Sequence, residues 1–295
     1  MPFSPAISAA ERNMVEPSNL TRWPYDAADL KREEHKRWYS PASFFYSQGR
    51  ALVLSSGYFA DERLVERSRG GVARKHRHRI HLALFGQLMA SLEYLFKDFI
   101  AQVVDLVPLY DDQIQKAEWI SVDARHILSA RTTRASPGGM LLHPTMGWQT
   151  ADSVNQRYKN LFKFEPVAAD EVKTLDQLWV LRHSVAHNAG LVTSHDAARS
   201  DMPHLSGEVA SIDDAFLKDA FEFLCIIASR LAEKVGDRVV QQWLKSKRSS
   251  GKDYKRDKLL YTYLRWIATY VGSRSKDLPK VGKGLYSEDW NRANG

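Results

Sequence analysis

Between Ile80 and Leu106 the apolar residues Ile80, Leu84, Leu88, Leu92, Leu95, Phe99, Val103 and Leu106 recur by threes and fours, unbroken until Pro108. An α-helix turns that spacing into one continuous stripe, so the spacing predicts a long amphipathic helix that needs a partner face. A second run, Phe216, Ala220, Phe223, Ile227, Leu231 and Val235, is opened by Ser211 and the acidic pair Asp213 and Asp214 and is expected to stop at Gly236. Between them the sequence reads as a helix over about Asp111–Ser129, a loop around SPGGMLLHPTMGW, a short helix from Ser153 to Phe164 and another from Asp170 to His187. Upstream, Ser43–Glu66 reads as one or two short helices with Gly57 as a break. No stretch alternates apolar and polar residues for long. The expectation is therefore an all-α fold, a bundle of four to five helices with helical N- and C-terminal extensions.

Three segments follow from this reading. Residues 1–75 are a proline-punctuated arm with short helices, 76–237 the bundle, and 238–295 a basic extension. The extension is expected to hold the helix RVVQQWLKSK, a break at KSKRSSGKDYKRDK and an aromatic-rich helix, LLYTYLRWIATYVG. Charge divides along the same lines. The whole chain is +7, but the last segment has 14 basic and 5 acidic residues, and the bundle 16 basic and 21 acidic. The bundle is thus acidic, and the basic surplus sits at its C-terminal side. The single Cys225 forbids an intrachain disulfide framework and fits a reducing compartment. No run approaches the roughly 20 apolar residues of a membrane span, and the first residues lack a secretory pattern, so a cytoplasmic location with no membrane is expected.

Chemistry concentrates in LDQLWVLRHSVAHNAG, where Arg182, His183 and His187 fall within six residues at the end of a helix buried through Val172, Leu175, Leu178, Leu181 and Val185. Residue types alone leave two readings. Cations in a last turn complement the helix dipole, and Asn188 with Gly190 makes an ordinary helix stop. The same groups also handle protons and bind anions.

The order Arg, polar residue, three more residues, His, Asn and a small residue, closing an apolar helix in an all-α bundle, resembles the HEPN (higher eukaryotes and prokaryotes nucleotide-binding) family of the Arg-x4-His type. The resemblance spans His76 to Gly236, with SLEYLF on the long helix, SVNQRYKNLF before the motif helix, and the final amphipathic helix. It implies a metal-independent ribonuclease, a toxin or phage-defence effector held by an inhibitory partner or trigger, or else a catalytically silent module that binds RNA, a nucleotide or a protein. It assigns the phosphate-facing charge to Arg182 and the acid/base to His187, with His183 at the polar position. An acidic residue on the earlier helix corresponds to Glu93, which lies about 100° around from Leu92 at the edge of the apolar stripe, where a solvated boundary carboxylate is an equal reading. The Tyr that some members carry two residues after the His is Ala189 here, so no role of that Tyr is inherited.

The residue types suit the reaction. RNA supplies its own nucleophile, the 2′-hydroxyl, and cleavage needs a base near neutral pH and a cation for the charge that builds at phosphorus. Histidine and arginine provide both without a cofactor. Five residues of separation place Arg182 and His187 about 140° apart on a regular helix. Either the helix ends at the motif or the site is shared, and the family implies the second, a homodimer with both motifs lining one cleft on the two-fold axis.

Other signals rank lower. His183 and His187 are four apart, as in zinc motifs, but Ser184 stands where a metalloprotease has Glu, and no metal site is expected. No Walker loop, nucleophile elbow or zinc-ribbon cysteines occur. Arg74, Lys75, Arg77 and Arg79 crowd the start of the long helix against its dipole, which points to an anionic partner such as RNA or to a solvated helix entrance. Lys255, Arg256 and Lys258 precede Tyr261, Tyr263, Trp266 and Tyr270, a composition that grips single-stranded RNA, although this aromatic spacing also describes a packed helix with a basic rim.

Overall fold

The computed structural model describes residues 41–60, 72–106, 110–120, 136–140 and 147–250. Among them the fold is all-α, with helices α1 (Pro41–Ala60), α2 (Val72–Leu106), α3 (Asp111–Gln115), α4 (Pro137–Met140), α5 (Ala151–Phe162), α6 (Val172–Asn188), α7 (Ser194–Arg199) and α8 (Asp214–Ser250). A 3-10 turn, Pro203–Leu205, and an isolated bridge between Leu191 and Val209 close the segment between α6 and α8. None of the described helices is long and apolar enough to cross a membrane.

The long periodic run forms α2, and α2 organises the rest. Helices α1, α4, α6 and α8 all pack on it. Because neighbours surround it, its buried face is wider than one stripe: Phe85, Leu88, Met89, Leu92, Leu95, Phe96, Phe99 and Val103 are all buried. Removing side chains of this size from water contributes about 1.5–3 kcal/mol each. Helix α8 lies against α1 and α2. Its fully buried line is Leu217, Leu224, Ile227, Leu231, Val235 and Val239; the expected Ala220, Ile227, Leu231 and Val235 are buried, while Leu217 and Leu224 take the places expected of Phe216 and Phe223, which are only partly buried. The Asp213 carboxylate accepts a hydrogen bond from the Phe216 N–H at 2.8 Å and caps the start of α8.

Several expectations about boundaries fail. Gly57 does not break α1, which runs on through it. Gly236 does not stop α8, because Val235 and Val239 continue the buried face beyond it and outweigh the roughly 1 kcal/mol that an interior glycine costs. The helix runs to Ser250, crosses the boundary placed at 237 and enters the basic stretch that was read as a break. Helix α1, placed in the N-terminal segment, packs on α2 and α8 as part of the bundle.

The long helix read over Asp111–Ser129 ends at Gln115 and gives way to a turn, while its remainder from 121 lies outside the described residues. The loop read around SPGGM contains a helical turn, α4. It docks on the end of α2, where Asp105 accepts hydrogen bonds from Ser136 Oγ at 2.6 Å and the Gly138 N–H at 2.7 Å. A Cβ on Gly138 would overlap the Ala101 carbonyl, so glycine is required there.

Candidate functional site

Helix α6 carries the motif, and its two ends are fixed by different means. At the start, Glu171 accepts the Ala168 N–H at 2.9 Å and the Arg230 Nη2 of α8 at 2.7 Å, while Arg230 Nη1 reaches the other carboxylate oxygen and the Pro166 carbonyl. The Arg230 fork holds the Glu171 carboxyl below its ordinary value, with burial opposing. At the far end Val185 packs over Gly86 of α2. The chain then leaves through Ala189 at φ 52°, and the Gly190 N–H returns to the Ser184 carbonyl at 2.9 Å. The Ala189 N–H reaches the same carbonyl, which makes the six-residue closure of a helix end built on a left-handed residue. In the middle Leu175, Leu178, Trp179, Val180, Leu181 and Ser184 are buried.

Arg182 continues the line of Leu175 and Trp179 on the α2-facing side. Its Nη2 stands 4.0 Å from Oε2 of Glu93, and the two side chains are 20% and 13% exposed. The edge position of Glu93 thus puts it beside Arg182. The sequence reading missed Lys97, whose Nζ donates to Glu93 Oε1 at 2.7 Å and whose side chain is only 9% exposed. The four-residue spacing of Glu93 and Lys97 was the available signal. One carboxylate therefore faces two cations, and the cluster carries a net positive charge. Among the described residues Arg182 makes no hydrogen bond through its guanidinium: Lys97 holds Oε1, and Arg182 stands at 4.0 Å from Oε2.

His183 and His187 are both exposed on the outer face, with ring centroids 4.7 Å apart. The helix stays regular through Asn188, so it does not end early enough to swing His187 back toward Arg182. The two stay on directions about 140° apart, with His183 between them in angle. Within one copy the motif offers an imidazole pair on one side and a half-buried guanidinium on another.

Comparison with protein-family models, with curated proteins and with solved structures finds no match.

Of the other candidates, Arg79 is exposed, and Arg74, Lys75 and Arg77 lie in the first turns of α2. Lys255, Arg256 and Lys258 lie outside the described residues. Among the described residues no group of three or more His, Cys, Asp or Glu gathers as a metal site would require. Cys225 is half-buried on α8 with its thiol pushed up to about 12, chiefly by burial, which removes it as a nucleophile near neutral pH.

Proposed function

We propose that this protein is a metal-independent endoribonuclease of the HEPN kind, acting as a homodimer in which Arg182 and His187 of both copies line one cleft. The observation that carries this reading is the state of Arg182. Glu93 holds the guanidinium at 4.0 Å by charge, yet leaves its donors uncommitted. A salt bridge with full hydrogen bonding would have to be broken before phosphate could bind; an arginine oriented only by charge is ready for it.

The reaction follows from the groups available. A neutral imidazole at His187 takes the 2′-hydroxyl proton, and the 2′-oxygen attacks the adjacent phosphorus. Arg182 holds the non-bridging oxygens as negative charge builds. The bond to the 5′-oxygen breaks, and that oxygen gains a proton from a second, protonated imidazole. The products are a 2′,3′-cyclic phosphate and a 5′-hydroxyl. His183, 4.7 Å away, and the second copy of His187 are the two sources of that proton.

A shared cleft answers the divergence of Arg182 and His187 on one regular helix, since a two-fold axis brings the guanidinium of one copy to the imidazole of the other. A role as a toxin or defence effector, restrained until triggered, accords with such a reaction. The test is cleavage of total RNA with and without EDTA. Activity indifferent to EDTA and lost in both Arg182→Ala and His187→Ala is expected. Full activity in His187→Ala refutes the mechanism, and intact RNA throughout leaves a binding module.

A further inference from the structure

Away from the motif, an open groove of about 570 Å³ runs between α5 and the turn that follows α3. That volume falls within the range of small-ligand sites. Lys116, Arg157 and Lys163 line it, with Gln156 and Asn160 between them, and Glu118 is the one carboxylate along it among the described residues. The groove is therefore cationic, although residues 76–237 are acidic overall.

Arg157 is its centre. The guanidinium carbon sits 4.4 Å from the ring centre of Trp148 and 5.3 Å from that of Trp119, and the two indoles meet edge to face at 5.8 Å. Nη1 donates to the Gly147 carbonyl at 2.6 Å. Among the described residues no carboxylate pairs with it, and burial alone lowers its proton affinity. A guanidinium held against two indoles by a carbonyl, in the wall of a groove and with no carboxylate partner among the described residues, is preorganised for an anion. Lys163 adds a second sign. It caps α5 in the left-handed region at φ 61°, where glycine is the natural residue. A lysine there costs about 1 kcal/mol of backbone strain, and its Nζ, which donates to the Asn160 carbonyl at 3.0 Å, stands at the wall of the groove.

We infer that this groove binds a nucleoside phosphate, its phosphate on Arg157, Lys116 and Lys163 and its polar edges on Gln156 and Asn160. The site uses none of the motif residues and does not depend on the ribonuclease reading. Two sources present this chemistry, a free mononucleotide and a nucleotide unit of single-stranded RNA.

The test uses the full chain carrying His187→Ala, which keeps RNA intact if the ribonuclease reading is right and is neutral to the groove if it is wrong. One arm titrates AMP by calorimetry, with inorganic phosphate as competitor. The other photo-cross-links a 12-nucleotide single-stranded RNA containing 4-thiouridine and maps the adducts by mass spectrometry. AMP binding assigns the free nucleotide, and adducts within residues 113–119 or 153–163 assign RNA. In either arm Lys116→Ala with Lys163→Gly is expected to reduce the signal roughly tenfold. Arg157→Gln should do the same, but it also disturbs the indoles. Lys163→Gly relaxes the strained turn, so the lysine pair stays folded and its thermal midpoint does not fall. A loss under threefold in the lysine pair, or no binding in either arm, overturns the inference.

Discussion

Arg182 Nη2 stands 4.0 Å from Glu93 Oε2, while Lys97 Nζ takes the other oxygen of the same carboxylate at 2.7 Å. Glu93 therefore spends its close contact on the lysine and orients the arginine by charge alone. This division of one carboxylate between two cations has a stability consequence. Glu93→Gln removes the charge that compensates a nearly buried lysine, and it should cost about 1–3 kcal/mol in urea unfolding. Adding Lys97→Met to that variant should recover most of the loss, because the uncompensated charge goes with it. If the double variant is no more stable than Glu93→Gln, the ion pair is not what holds this part of α2.

A cleft built from two copies predicts complementation. Arg182→Ala and His187→Ala should each be inactive alone, but the mixture, after subunit exchange, forms heterodimers that keep one arginine and one histidine. Partial recovery of RNA cleavage on mixing is expected, at no more than about half of the wild-type level if exchange is statistical. A mixture as inactive as its components argues for a site contained within one copy.

Helices α1 and α8 approach closely because Gly49 has no Cβ. A Cβ there would overlap the Phe221 ring, which also lies 6.1 Å from Phe45 and 5.8 Å from Tyr46, ring centre to ring centre. Gly49→Ala gains helix propensity, yet it should still destabilise by about 1–3 kcal/mol through overpacking. Phe221→Leu in the same chain should return part of this. Thermal denaturation of the two variants decides the matter; a stabilised Gly49→Ala would mean that α1 is not packed this closely.

The Glu171–Arg230 bridge joins the start of the motif helix to α8, and its pH dependence has a definite sign. The Glu171 carboxyl is held below its ordinary value in the folded chain, mainly by the Arg230 hydrogen bond. Its contribution is then complete above the unfolded carboxylate value, about 4.3, and fades as pH falls through the lower folded value. Glu171→Gln should therefore cost about 1–3 kcal/mol at pH 7 and progressively less against wild type toward pH 3. Denaturant titrations at both values test this, and a difference that widens on acidification contradicts it.

What could be read from the chain depended on how local each cause was. Helices α2 and α6 were legible because Leu88 to Val103 and Leu175 to Leu181 repeat within a few turns and their periodicity is the cause of burial. The angle of Glu93 on α2 gave only its place at the edge of the stripe; its approach to Arg182 comes from how α6 packs on α2. The end of α8 was not legible, because the decision between stopping at Gly236 and continuing was made by Val239 finding a buried place on another element. Nor was the groove legible, since Trp119, Trp148 and Arg157 come from separated parts of the chain and only the fold stacks them. Helix α4 hid behind Pro137, Gly138 and Gly139, whose composition signals a turn and whose need for glycine comes from the approach to Ala101.

The run of α8 through Gly236 also changes how the basic C-terminal side must be tested. Truncation after Gly236 would remove Val239, which is fully buried, and would confuse lost RNA binding with lost folding. Ser250 is the better end, because it preserves every described residue of α8. The 45 residues beyond it carry 10 basic and 5 acidic groups, so their removal lowers the net charge of the chain from +7 to +2. Residues 76–237 hold 16 basic and 21 acidic groups and the chain to Ser250 is only +2, so the tail is expected to supply much of the long-range attraction for a polyanion. Denaturant midpoints of the chain ending at Ser250 and of the whole protein, measured side by side, separate lost RNA binding from lost folding. The shortened chain's affinity for single-stranded RNA should be weaker, with a shallower dependence on salt, because each lost phosphate contact lowers the slope by about 0.7 for a single strand. An unchanged slope would reduce the C-terminal charge to a matter of solubility and return the search for the substrate grip to the cations of α2, Arg74, Lys75, Arg77 and Arg79.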